Sequence, residues 1–423
     1  MKNPYKMTII EPAIATISLI GISLLLIPEA TYYDILKERL YFKNVMPLIY
    51  IIMSNSLFLI GVYLSYKIKG IMSRRLNFRS GLDGKLILAT GLLVIILNLL
   101  YIFILLRITG GIEGALSGAY RQLIWQSAGE MKIGFIPSLT VALVSITSFG
   151  IFLQSSRNYL IGSIYIASIL SCISISILSG TRAGIFQLIA VFFLILYLKY
   201  KTGRIQKHKM VIVGLLSLTL LPAGFLLSTA DRIISFNGSR SADLSQIIYY
   251  SGLGYLYSGL NKFAYIYSGG KIFDDLSSWN LFAPLYNLPL VGSSYASVLS
   301  DYGINVLLAS SEDWSDSFNV VENAGFNRGF NVLSIYGEMY GSFGWLSLPL
   351  MVTYGYLSGI IFRSYNRGGY LGIIMAPYIL FSFMQWLVYN PFFSRDFMIS
   401  LITVGLIYTY QVLSVGREKN GKS

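Results

Sequence analysis

Apolar runs close to twenty residues long recur from one end of this 423-residue chain to the other. A helix needs about 20 mostly apolar residues to cross the hydrocarbon core of a bilayer. Windows of that length predict ten spans, roughly 7–28, 46–66, 86–106, 138–154, 159–178, 183–199, 210–230, 340–362, 370–389 and 397–415. The composition agrees: charged residues make up 12% of the chain, about half the share of a soluble domain, and mean hydropathy is +0.64. A soluble enzyme and a disordered chain are excluded on that basis. A disulfide-stapled secreted domain is excluded as well, because Cys172 is the only cysteine. The expected fold class is an all-α polytopic integral membrane protein. The first span carries Glu11 and no small-residue cleavage site, so it is expected to be retained rather than removed as a signal.

Lys and Arg in the short loops set the orientation. With both termini inside, the inner connections hold 19 of the 32 basic residues and only two acidic ones, Asp83 and Glu418. The net charge of +13 is then a topology signal and an attraction to anionic lipid headgroups, and no nucleic-acid partner is implied. The chain divides into seven helices over 1–230, one large outer loop over 231–338, and three helices with a cytoplasmic tail over 339–423. That loop holds ten acidic and five basic residues and is rich in Tyr, Ser, Gly and Asn. Its aromatic content and the apolar stretch 281–309 argue against disorder, and predict short helices lying on or dipping into the outer membrane surface. Trp125, Trp279, Trp314, Trp345 and Trp386 all fall on the outer side, as an interfacial belt or as stacking surfaces for sugars.

Several chemistries lack their residues. No G-x-x-x-x-G-K-[ST] stretch is present, so no nucleotide-driven pump is encoded. His208 is the only histidine and sits between Lys207 and Lys209 in an inner loop, which removes a His base from the outer face and any Cys/His metal cluster. Glu312, Asp313 and Asp316 offer oxygen ligands to a hard cation, but at no recognised loop spacing, so neither metal nor cofactor is expected. What the outer face does carry is arginine. Arg182 lies in Ser179-Gly180-Thr181-Arg182-Ala183-Gly184, between two spans with almost no loop. Arg232 follows the seventh span, Arg240 sits in the outer loop, Arg328 precedes the eighth span, and Arg395 occupies a tight outer turn. Each is either a boundary residue, paired with Asp231 or Asp396 where these adjoin, or part of a basic rim. Planar guanidinium forks bind phosphate bidentately, and exclusion of water at a membrane edge strengthens that grip.

Among the outer carboxylates Glu338 stands apart. Residues 331–362 exceed what one span needs, so this stretch is expected to be bent or half-buried, leaving Glu338 partly withdrawn from water as a candidate general base. Asp301 is the second candidate. Tyr249, Tyr250 and Tyr257 belong to a tyrosine cluster early in the outer loop, which either rests at the lipid interface or stacks on sugar rings.

Three patches carry a family resemblance. Ser179-Gly180-Thr181-Arg182-Ala183 resembles a small-residue-plus-Arg signature between two mid-chain spans. Tyr249-Tyr250-Ser251-Gly252 followed by Gly259-Leu260-Asn261-Lys262 resembles a Tyr/Gly/Asn run early in a long outer loop. Asn331-Val332-Leu333-Ser334 continuing to Tyr340-Gly341-Ser342-Phe343-Gly344-Trp345 is similar to an Asn-Val-x-Thr…Tyr-x-Asp-Phe-Gly pattern. With the ten-span layout, the chain resembles the Wzy-type polymerases of O-antigen and related bacterial surface polysaccharides. Ser342 stands where that family commonly has an acidic residue, which turns attention to Glu338.

The resemblance implies a glycosyltransferase of the bacterial inner membrane, facing the periplasm. It would move a growing glycan from its undecaprenyl-pyrophosphate carrier onto an incoming lipid-linked repeat unit, with no nucleotide. A flippase and a chain-length regulator are the partners it implies. Arg182, Arg328, Arg232, Arg395 and Arg240 would hold pyrophosphate, and Glu338 or Asp301 would take the proton. Tyr249, Tyr250, Tyr257, Asn331 and Tyr340 would meet sugar. The alternatives are an O-antigen ligase-like enzyme, whose relatives use an outer-loop histidine absent here, and a polysaccharide flippase or transporter, which typically has more spans and shorter loops.

Overall fold

Where the chain is described, helices occupy most of each predicted stretch, although 370–389 is helical only to Gln385. The computed structural model describes residues 10–68, 84–116, 134–153, 159–178, 183–201, 244–272, 319–327, 332–367 and 369–420, with a few isolated positions between them. Among these residues the structure is helical, with no strand. The helices are α1 (Ile10–Leu26), α2 (Glu29–Leu36), α3 (Val45–Lys67), α4 (Gly84–Thr109), α5 (Ile112–Leu116), α6 (Ile136–Leu153) and α7 (Tyr159–Leu178). They continue with α8 (Ala183–Lys201), α9 (Leu244–Tyr267), α10 (Ser334–Phe343), α11 (Ser347–Asn366), α12 (Tyr370–Gln385) and α13 (Arg395–Asn420). The seventh predicted span, 210–230, lies outside the described residues.

Among the described residues, four stretches are long and apolar enough to cross a membrane: Val45–Lys67, Leu86–Thr109, Tyr159–Leu178 and Ser334–Asn366. On α4 and α7 the outward faces are apolar and several polar side chains point inward. Ile96, Phe103 on α4 and Leu170 on α7 stand about 60% exposed, while Thr90, Asn98, Thr147 and Ser168 are buried between the helices. Asn98 donates to Ser171 Oγ at 2.8 Å and Cys172 Sγ at 3.1 Å, and Ser168 donates to the Gly91 carbonyl at 3.1 Å. Side chains of this kind hold helices together where lipid leaves no hydrophobic drive between them.

The most extensive seam joins α3 to α11. The two run parallel, because Tyr50 meets Ser347 at one end and Arg363 donates to the Ser65 and Ile68 carbonyls at the other. Glycine makes this approach feasible. A Cβ on Gly355 would lie 1.9 Å from the Phe58 carbonyl oxygen, and one on Gly61 would lie 2.0 Å from that of Val352. The guanidinium of Arg363 caps carbonyls that the end of α3 leaves unpaired. Lys67, Arg363 and Arg367 thereby gather at one end of the pair.

At the opposite end the predicted bend is present. The helix over 334–366 breaks after Phe343 at Gly344, whose φ of 56° and ψ of −136° leave helical space, and resumes through a 3₁₀ turn Gly344–Leu346. Only glycine adopts such a conformation without strain. The segment 231–338, expected to lie outside, differs from the short helices predicted for it, since α9 alone runs 24 residues. Its second half is buried at Leu260, Asn261, Lys262, Phe263 and Ala264, against α2 and α10. Packing supplied by those elements lets a Tyr- and Gly-rich sequence hold a long helix.

Candidate functional site

The turn between α12 and α13 and the start of α10 build the site. Backbone pairs seat them: Leu333 N–H donates to the Val388 carbonyl at 3.0 Å, and Ile335 N–H donates to that of Trp386 at 2.7 Å. Ser334 between them has φ 61°, a left-handed conformation held by those contacts and by the Gly337 N–H bond to its own hydroxyl. One helical turn later Glu338 reaches the same segment. Its Oε2 accepts from Asn390 N–H at 2.9 Å, and Oε1 has no hydrogen-bond partner among the described residues. Asn390 fixes the turn in both directions, since its Oδ1 accepts from Phe392 N–H at 3.1 Å and its Nδ2 meets Met339 Sδ at 3.2 Å. Tyr378 closes the turn from below through the Pro391 carbonyl and Ser394.

Arg395 ends this turn. Asp396 is not its partner: the Asp396 carboxylate accepts from Ser138 on α6. The buried Arg395 Nε makes no hydrogen bond among the described residues, and its guanidinium lies against Gly134, where an added Cβ would be 3.2 Å from Nη1. The carboxylate thus holds the middle of this segment and the guanidinium marks its end.

On the same helix as Glu338, two residues on, an aromatic group lines the break. Tyr340 lies 4.9 Å from Tyr267 and 6.3 Å from Trp345 between ring centroids, and all three surround the buried ring of Tyr50. Trp345 is half-exposed, so the group has an open side. Trp386 is different: it is fully buried against Phe58 and Phe383, so packing rather than an interfacial belt or stacking explains it.

Of the predicted residues, Glu338, Tyr340 and Arg395 therefore sit around the start of α10 and the turn it touches. Asp301 is exposed on a short helical turn, and no described contact joins it to Glu338. Tyr257 bonds Ser23 of α1 at 3.1 Å. Tyr249 and Tyr250 lie on the first half of α9, and their side chains lie outside the described residues. Arg182, Arg232, Arg240, Arg328 and Asn331 also lie outside them. Among the described residues no group of three His, Cys, Asp or Glu side chains could hold a metal ion.

One cluster escaped sequence reasoning. Glu38, just after α2, is completely buried with Lys262 of α9, at 3.9 Å between Oε2 and Nζ. Tyr32 donates to Glu38 Oε1 at 2.5 Å, Asn261 Nδ2 donates to the same oxygen at 3.3 Å, and Ser258 and Asn327 N–H donate to Oε2 at 3.3 and 3.1 Å. Lys262 donates to Ser258 and lies over the Phe326 ring. Asn261 also accepts from Tyr41 and Phe42 N–H at 2.6 and 3.2 Å, and Asn327 donates to the Leu36 carbonyl at 2.6 Å. Burial pushes the Lys262 ammonium down to about 8, with the Glu38 charge opposing the shift. Lys262 is the only charged residue of α9, which signals a partner, but that partner is more than two hundred residues away in sequence.

No protein family, curated protein or solved structure matches the chain. The site's own chemistry has to carry the functional reading.

Proposed function

We propose that this protein is a Wzy-type polymerase of the bacterial inner membrane. It would transfer a growing glycan from undecaprenyl pyrophosphate to the non-reducing end of a lipid-linked repeat unit at the periplasmic face. The observation that supports this most directly is that one segment, 386–395, donates Asn390 N–H to the Glu338 carboxylate and ends in Arg395, while the same helix as Glu338 carries Tyr340 into an open aromatic group with Tyr267 and Trp345.

In this reading the acceptor hydroxyl attacks the anomeric carbon of the donor sugar. The bond from that carbon to the pyrophosphate oxygen breaks, and its electron pair leaves on the diphosphate through an oxocarbenium-like state. Glu338 takes the hydroxyl proton, and its free Oε1 is the oxygen positioned to do so. Arg395 stabilises the charge arriving on the leaving diphosphate, with Arg182, Arg328, Arg232 and Arg240 as the further phosphate-binding candidates and Asp301 as the alternative base. The aromatic group stacks on sugar rings. The glycosyl-pyrophosphate bond supplies the driving force, so the step needs no nucleotide.

A strain deleted for this gene and complemented with variants tests the reading by gel analysis of its surface polysaccharide. Wild type is expected to restore the ladder. Glu338→Gln and Arg395→Ala, at normal protein levels, are expected to leave single-repeat units and lower polymerisation about 100-fold or more, the usual loss for a general base. A full ladder with Glu338→Gln would remove Glu338 as the base. Loss of even the single-repeat band in the deletion strain would point to export or ligation instead.

A further inference from the structure

Glu338 owes its place to α10, and α10 is packed on α9. A Cβ on Gly337 would lie 3.6 Å from the Phe263 Cα, so the backbones of the two helices nearly touch one residue before Glu338 and one residue after Lys262. Phe263 also packs against Tyr336 and Tyr340 at 6.0 and 6.1 Å. The seat of α9 therefore helps set the position of Glu338, together with the 386–390 segment that α10 bonds.

The Glu38–Lys262 cluster sets that seat. It ties α2, the segment 38–42, the Phe326–Asn327 turn and α9 through one carboxylate whose two oxygens take four hydrogen bonds and an ammonium. Tyr32, Glu38, Ser258, Asn261 and Lys262 are all buried, so the ion pair is not placed to touch a substrate. Nor is it an economical way to hold a fold, because taking both charges out of water offsets most of their attraction. What a buried ion pair does secure is register: α9 rotated or shifted by one residue would bury Lys262 without its counter-charge.

We propose that Glu38 and Lys262 are positioning residues for Glu338, fixing the rotation of α9 on which α10 and its carboxylate are seated. The inference rests on the polymerase reading for its catalytic consequence, while the mechanical coupling is independent of it.

Purified full-length protein in nanodiscs allows both to be measured, with Lys262→Met, Glu38→Gln and the double variant. In the single variants, amide hydrogen exchange over 334–343 is expected to rise about tenfold or more, with 45–67 unchanged. The double variant, which leaves no unpaired buried charge, is expected to return toward wild type. With a lipid-linked oligosaccharide as substrate, the singles are expected to lower kcat about tenfold with KM within twofold, again recovering in the double. Unchanged exchange over 334–343, or a rise spread equally over 45–67, would overturn the proposal, as would a double variant no better than the singles. If wild type forms no polymer while the exchange pattern follows expectation, the polymerase reading fails and the coupling stands.

Discussion

Lys262 carries a charge in a place that water does not reach, and Glu38 only partly compensates. Its proton is held less tightly in the folded protein, with a value of about 8, than in the unfolded chain at 10.5. The unfolded chain therefore binds more protons between those values, and stability rises with pH across that window. The gain is complete above about 10.5 and is lost as pH falls through about 8. A displacement of this size corresponds to about 3 kcal/mol. Thermal melts in detergent between pH 7.5 and 9.5 are expected to show wild type gaining on Lys262→Met, which has no ammonium to discharge. Parallel curves would mean that the lysine is solvated after all. None of this was readable at the residue scale from sequence, where a lone lysine among tyrosines announces the need for a counter-charge and not its address. The bend near Glu338 was legible, because residues 331–362 exceed the length of one span and the helix does break after Phe343.

The helices themselves were more legible than their contacts. Periodicity and length located α3, α4 and α7 closely, since a bilayer of fixed thickness imposes a fixed length on what crosses it. The excess length of 331–362 signalled the break now seen at Gly344. By contrast, α2 and the full extent of α9 exist because neighbours cover them, and tertiary cover leaves little trace in local sequence. The same holds for the α3–α11 seam, where Gly61, Gly355 and Gly359 look like ordinary glycines until backbones are seen within van der Waals reach. Gly355→Ala is expected to destabilise by about 3 kcal/mol, the upper range for overpacking a filled interface. Gly405→Ala on α13, where an added Cβ meets nothing within 4 Å, is expected to be neutral or to stabilise by up to about 1 kcal/mol. Melting temperatures of the two variants by size-exclusion fluorescence would check both; equal losses would show that the seam is looser than it is drawn.

For the whole molecule, Lys67, Arg363 and Arg367 gather at one end of the α3–α11 pair and Trp345 lies toward the other, so the orientation expected from the loop charges can be tested at the two ends. In right-side-out vesicles of a Cys172→Ser background, cysteines placed at Tyr302 and at Arg367 are expected to differ. The first should react with a membrane-impermeant maleimide and the second only after the membrane is opened. The reverse pattern would place the site on the cytoplasmic face and end the polymerase reading.

The parallel course of α3 and α11 has a consequence for how the protein is made. Neighbours that point the same way cannot be closed by a hairpin, and Gly61 waits for a partner nearly three hundred residues downstream. During synthesis the glycine groove of α3 must face lipid, a chaperone or the insertion machinery until translation is most of the way through. Truncation before α11 is therefore expected to yield not a smaller working unit but an α3 whose binding groove stays open, a ready target for membrane proteolysis.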